Sequence, residues 1–265
     1  MADWEFLTLE RREHVLTVSF DAGGPVNALR FAVLEELEAL ARELARDSEL
    51  RAVVLTGRAD TFTGGMDLEA VAALAEADLS LNERRTQLKL GPAVCAAWEA
   101  VEAMTIVAIE GWCVGGGLAL AAACDWRVAA EDAHLYVPEL RLGMNMSWQS
   151  VPRLTNLVGP ARAKQLLVLA EPLRAGTALD WGLVDRVAAP GRARAEAEAL
   201  GRQVAAMPPV PVRMAKRAVD AYANALASTA SFMDADQFLL ASASEDASEG
   251  LKAFLEKRTP DFTGR

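Results

Sequence analysis

The chain has 265 residues, 52% hydrophobic and 24% charged, the balance of a soluble globular protein long enough for one large domain with a helical appendage. A formal charge of −10 argues against nucleic acid or an anionic membrane as the main partner, while leaving room for a polyanionic small molecule held by a local basic patch. Cys95, Cys113 and Cys124 sit in apolar segments without CxxC spacing and read as buried free thiols, and His14 and His134 lie too far apart in sequence to suggest a metal site.

The opening MADWEFLTLE has neither the apolar core of a signal peptide nor an Arg-rich transit pattern. No apolar run reaches the ~18 uncharged residues of a membrane span, so a cytoplasmic protein is expected. Val15 to Phe20 alternates like a half-buried strand, and Asp21 to Pro25 is turn chemistry. From Arg30 to Arg46, Phe31, Leu34, Leu37, Ala41 and Leu44 recur at helical spacing. Arg51 to Thr56 is a short buried strand ended by Gly57. Strand, helix and strand repeat in this way, which predicts an α/β architecture. Ala70 to Arg85 reads as a mobile or helical flap, Leu90 to Met104 as a helix, and the Gly159-Pro160 pair as the start of another. Ala178 to Val187 leads into a last strand. After Pro190 the pattern is helical: Ala193 to Met207, a break at Pro208 to Pro211, then helices near Val212 to Leu226 and Ser231 to Glu256. The expected division is a core at 1–190 and a helical region at 191–265.

The chemistry concentrates between Glu110 and Gly143. Thr105 to Ile109 has the β-branched look of a buried strand. Gly115, Gly116 and Gly117 then open a small-residue helix, Leu118 to Ala123. Glycines at a strand-to-helix turn let a ligand reach main-chain N–H groups, and a helix N-terminus favours negative charge. The same triplet also suits plain close packing of helix on sheet. It is not a dinucleotide fingerprint, because the sixth position from Gly115 is Leu120. Gly64-Gly65 supplies a second glycine turn, and Glu139 follows Pro138 at the end of a strand-like run. An anion-stabilising turn and a carboxylate are the minimum apparatus for making an enolate. A carboxyl between Pro138 and Leu140 would be desolvated, which raises its pKa toward that of a working base. Asp67 reads as the cap of the next helix, and Asp125 and Arg127 as strand-end pairing.

GWCVGGGLAL, CDWRVA and PELRLG, with TFTGGMDL at Thr61 to Leu68, PVNAL at Pro25 to Leu29 and the ending AFLEKRTPDFTGR, resemble the crotonase (enoyl-CoA hydratase/isomerase) superfamily over nearly the whole chain. The resemblance implies a spiral of ββα repeats with a C-terminal helical region that forms homo-trimers, often paired into hexamers, and covers the active site. It implies an acyl-CoA substrate and no metal or separate cofactor, coenzyme A entering as part of the thioester. The backbone N–H groups of Met66 and Gly116 become an oxyanion hole, and Glu139 the catalytic carboxylate. Contacts to substrate or coenzyme A fall on Ala28, Leu29, Gly64, Gly65, Asp67, Leu68, Gly115, Trp148, Phe254 and Lys257.

Two departures from the resembled pattern bear on the reaction. Hydratases of the family carry a second glutamate two residues after the glycine triplet, where this chain has Ala119. One carboxylate suffices for moving a double bond, because it can take a proton from one carbon and return it two carbons away. Ala119 therefore favours isomerisation. A hydratase, or a related lyase or hydrolase, would need a water held near Asn145, Ser147 or Gln149. The stretch Met144 to Ser150 also replaces the glycine-rich segment usual in hydratases, and Trp148 in it would crowd or stack on the acyl chain. A non-catalytic acyl-CoA-binding scaffold is the alternative of another class.

Overall fold

The structure, a computed structural model, describes residues 3–265. It opens with β1 (Leu7–Arg12), paired antiparallel with β2 (Val15–Phe20). The sequence pattern passed over β1 because LTLERR is an edge strand whose outer positions are charged, which guards an open edge. The amphipathic helix α1 (Phe31–Leu44) buries Leu34, Leu37 and Ala41, and β3 (Ala52–Thr56) is buried at every position, as a parallel strand covered on both faces must be. The expected flap is two helices, α2 (Leu68–Glu76) and α3 (Leu81–Leu88), the second started by a reciprocal Ser80–Glu83 capping box. The next predicted helix ends early: α4 (Leu90–Glu99) gives way to strand β4 (Met104–Ile109).

After β4 come β5 (Trp112–Val114), α5 (Gly116–Ala123), β6 (Trp126–Ala130) and β7 (His134–Tyr136), then a single 3-10 turn at Glu139–Leu142. Helix α6 (Ser150–Lys164) kinks where the sequence placed a helix start, Gly159 taking φ 76° and ψ 161° ahead of Pro160. Strand β8 (Leu173–Arg174), helix α7 (Ala175–Trp181) and strand β9 (Arg186–Ala188) complete the sheets. The larger sheet runs β1-β2-β3-β4-β6-β9 and is parallel from β2 onward; the smaller runs β5-β7-β8. The fold is thus mixed α/β with two sheets, followed by C-terminal helices.

The first of those helices, α8 (Ala193–Ala205), belongs to the core, packing on β2, β3, β4 and β6 with Gly201 against Val15 and Ala52. In α9 (Pro209–Ala223) the prolines occupy the first turn, where their missing N–H groups cost nothing. Short α10 (Ala227–Ser231) follows. The predicted final helix is two, α11 (Asp234–Ser242) and α12 (Glu245–Glu256), because Ser244 caps α12 by accepting the Ala247 N–H at 3.0 Å.

Helix α9 is fastened to the sheet through a buried ion pair. Lys216 donates to Asp125 Oδ2 at 2.7 Å and to the Ala103 carbonyl at 3.0 Å, and the same carboxylate accepts from Thr105 N at 2.6 Å. Removing one partner strands the other charge in the interior. Asp125→Ala is therefore expected to cost about 3–5 kcal/mol, read from the midpoint of urea unfolding at constant slope. Arg127, 1% exposed, is satisfied in the same way by Asp185 and the carbonyls of Cys124 and Leu183.

Candidate active site

The two glycine turns meet because one strand holds them both. Thr63 pairs with Cys113: its N–H donates to the Trp112 carbonyl at 2.8 Å, and its carbonyl accepts from Val114 N at 3.1 Å. This sets Gly64-Gly65 beside Gly115-Gly116. The approach tolerates no side chains. A Cβ on Gly117 would lie 2.2 Å from Thr63 Cγ2, and one on Gly65, at φ 92°, would lie 2.9 Å from the Val114 carbonyl oxygen.

Most main-chain donors of these turns are already bonded. Gly64 N donates to the Val26 carbonyl, Gly65 N to Thr63 Oγ1, Asp67 N to the Leu29 carbonyl and Gly115 N to the Tyr136 carbonyl. The N–H groups of Met66 and Gly116 find no acceptor among the described residues. Both residues line one cavity of about 520 Å³, and Gly116 is the first residue of α5, where the helix dipole is positive. Two free donors on adjacent turns are the arrangement that can receive an oxyanion.

Glu139 faces these turns. It opens the 3-10 turn after β7, and its Oε1 lies 2.6 Å from where a Cβ on Gly115 would stand. The residue retains some exposure, but Oε2 is sealed from solvent and has no hydrogen-bond partner. Burial pushes the carboxyl up from 4.5 to about 7. The turn is braced from behind by α12. A Cβ on Gly250 would come within 2.5 Å of the Leu142 carbonyl carbon, and one on Gly143, at φ 71°, within 2.5 Å of the Asp246 carbonyl oxygen. Phe254 of α12 lines the cavity.

Trp148 closes the opposite side. Its six-membered ring covers Gly116, Cη2 lying 2.6 Å from a Cβ built there, and its pyrrole edge covers Gly91 at the start of α4. Trp148 and Gln149 both take left-handed backbone, φ 61° and 55°, at about 1–2 kcal/mol each for residues with a side chain.

Of the residues singled out in the sequence, Glu139, Met66, Gly116, Gly64, Gly65, Leu68, Gly115, Ser147, Trp148 and Phe254 all line this cavity. Ala28, Leu29, Asp67 and Lys257 stand outside its lining. Leu29 is fully buried with its N–H bonded to the Gly65 carbonyl. Asp67 caps α2 by accepting from Glu69 N and Ala70 N, and Lys257 is the exposed left-handed end of α12. Asn145 and Gln149 also stay outside, Gln149 being engaged with Asp234. Ala119 is fully buried on α5. The sequence reading missed Tyr136, which lines the cavity near Glu139; burial raises its phenol above 10, so it stays a neutral donor. Its place three residues before Glu139 was the available signal. Trp112, stacked on His134 at 4.7 Å, was missed as well. The three cysteines are free and buried, and no group of three or more His, Cys, Asp or Glu suited to a metal occurs among the described residues. No helix among them is long and apolar enough to cross a membrane.

Comparison with known proteins identifies the family. The family model for enoyl-CoA hydratase/isomerase matches residues 10–265. A probable enoyl-CoA hydratase of Mycobacterium bovis is 33% identical over 265 residues, 99% of each chain. The crotonyl-CoA hydratase of Syntrophomonas wolfei is 32% identical over 99% of each, and the 2,3-dehydroadipyl-CoA hydratase of Escherichia coli 33% identical over 98% of this chain and 99% of its own. Among solved structures, an enoyl-CoA hydratase/isomerase of Pseudoalteromonas atlantica superposes with a TM-score of 0.85 at 28% identity, covering 98% of this chain and 100% of that one. These relatives' names speak for hydration more than for isomerisation. With a matching family model over almost its whole length and full-length relatives above 30% identity, the chain belongs to the enoyl-CoA hydratase/isomerase (crotonase) family.

Proposed function

We propose that the chain isomerises an enoyl-CoA, moving a double bond between the β,γ and α,β positions of the thioester. The thioester oxygen sits between the N–H groups of Met66 and Gly116, which stabilise it as negative charge develops; each such donor is typically worth about 3–4 kcal/mol. Glu139 takes a proton from the α-carbon, leaving a dienolate, and returns it to the γ-carbon, so the carboxyl ends as it began. The observation that supports this reading is a lone carboxyl at the reacting end. The position of the family's second glutamate is Ala119, fully buried. The other acidic residue of the lining, Asp60, is exposed and paired with Arg58 at 2.7 Å.

Hydration is the second reading, favoured by the names of the relatives; it would use a water held near Ser147, the polar candidate that lines the cavity. The conjugated enoyl-thioester absorbance separates the two. Purified protein is expected to raise it with a trans-3-enoyl-CoA. A fall with a trans-2-enoyl-CoA and no rise with the 3-enoyl substrate would establish hydration instead. No change with either would favour a binding scaffold. A trimer or hexamer fits the exposed apolar side chains of the C-terminal helices, including Met214, Val219, Tyr222 and Leu226, which only a partner would cover.

A further inference from the structure

Resting on the acyl-CoA reading above, we propose that Trp148 is the stop that confines this site to short, uncharged acyl groups, and that Arg153 and Asp234 are positioning residues that hold it there. An acyl chain starts at the thioester carbonyl, whose oxygen the Gly116 N–H would receive. It has Glu139 over Gly115 on one side and the Trp148 ring over Gly116 on the other. The indole fills a slot that exists only because residues 91 and 116 are glycines: a Cβ at either would stand 2.1 or 2.6 Å from its ring atoms. Met144, Met146 and Phe238 also line the cavity, and no Lys, Arg or His does so among the described residues. An acyl group with a terminal carboxylate would find no counter-charge there.

Backbone preference does not keep Trp148 in place, since two consecutive left-handed residues with side chains are disfavoured. Side-chain hydrogen bonds, one set from α6 and the others from remote residues, do. Arg153 Nη1 donates to the carbonyls of Trp148 at 3.2 Å and Gln149 at 3.1 Å, while its Nε and Nη2 are anchored on Glu99 at 3.1 and 2.9 Å. The Gln149 N–H donates to Asp234 Oδ2 at 2.5 Å. Both clamping side chains are buried, 6% and 9% exposed. Asp234 begins α11, which a second ion pair, Asp236 with Arg85, fastens to α3. The C-terminal helices therefore bear on the depth of the acyl pocket twice, through Asp234 behind Trp148 and through Phe238 and Phe254 in its lining.

The test measures binding and turnover separately. Calorimetry compares butyryl-CoA with decanoyl-CoA, and kinetics compare short and ten-carbon enoyl-CoAs, for the parent, Trp148→Ala, Asp234→Ala and Asp234→Asn. The parent is expected to bind decanoyl-CoA no more tightly than butyryl-CoA. Trp148→Ala should bind decanoyl-CoA at least tenfold more tightly than the parent does. Asp234→Ala should shift the chain-length preference the same way, mostly in KM, while Asp234→Asn, which keeps an acceptor oxygen, restores the parental preference. Equal decanoyl-CoA affinity in the parent and Trp148→Ala overturns the stop. An Asp234→Ala variant that loses stability with unaltered chain-length preference overturns its positioning role. If no enoyl-CoA is turned over but the binding split appears, the enzymatic reading falls and this inference stands.

Discussion

Replacing Glu139 with glutamine is expected to lower turnover of the matched enoyl-CoA by about 10²–10⁴-fold, while affinity for a saturated acyl-CoA stays within a few-fold of the parent. Glutamine keeps the shape of the side chain and its packing over Gly115, and it cannot carry the proton. The oxyanion cradle of Met66 and Gly116 is main chain and survives the change, so binding and chemistry separate cleanly in steady-state kinetics and calorimetry. A variant that retains full turnover would remove Glu139 from the reaction.

The same substitution has a thermodynamic signature, which follows from the burial of the carboxyl. Burial pushes the folded carboxyl to about 7, against an ordinary 4.5, by stripping water from its charged form. A group raised in this way contributes stability below its unfolded value and loses it as pH climbs through the folded one. From Glu139 alone, the parent should therefore lose about 3 kcal/mol between pH 4.5 and pH 7, at about 1.4 kcal/mol per pH unit. Glu139→Gln abolishes that decline. Relative to their difference at acid pH, the variant should gain up to ~3 kcal/mol on the parent at about pH 8, measured by urea unfolding across pH.

How legible this site was depends on how local its causes are. The glycine turns announce themselves because only glycine permits the contacts of Gly65 with Val114 and of Gly117 with Thr63. Glu139 was marked by its motif, and its desolvation followed from apolar neighbours in sequence. The helix of Phe31 to Leu44 and the strand of Val15 to Phe20 were plain in their periodicity. What escaped was set by partners remote along the chain. The Gln149 N–H is held by Asp234, eighty-five residues beyond it, and nothing in NMSWQS announces a left-handed pair at Trp148 and Gln149. Ala28 and Lys257 were marked by motif membership alone, Lys257 as a residue able to reach a neighbouring subunit's ligand, and both stand outside the lining of this chain's cavity.

The direction of the chemistry can be read from pH, and here the two reactions of the family diverge. Isomerisation begins with proton abstraction, which requires Glu139 ionised. kcat/KM on a trans-3-enoyl-CoA should then rise with pH through about 7 and level off above it, falling about tenfold per unit on the acid side. Hydration requires the same carboxyl to deliver a proton to the α-carbon, so it must begin neutral. On a trans-2-enoyl-CoA, kcat/KM should be flat below about 7 and fall tenfold per unit above it. Few other groups of the lining blur the reading. The Tyr136 phenol is pushed above 10 by burial, the Asp60 carboxyl is held low by Arg58, and no histidine faces the cavity among the described residues. An acid limb near 7 on the 3-enoyl substrate, lost in Glu139→Gln, would establish the single-carboxylate isomerase. An alkaline limb on the 2-enoyl substrate would make the relatives' names the better guide, with water supplied at Ser147. A profile flat from pH 5 to 9 on both substrates would show that Glu139 carries no proton in either.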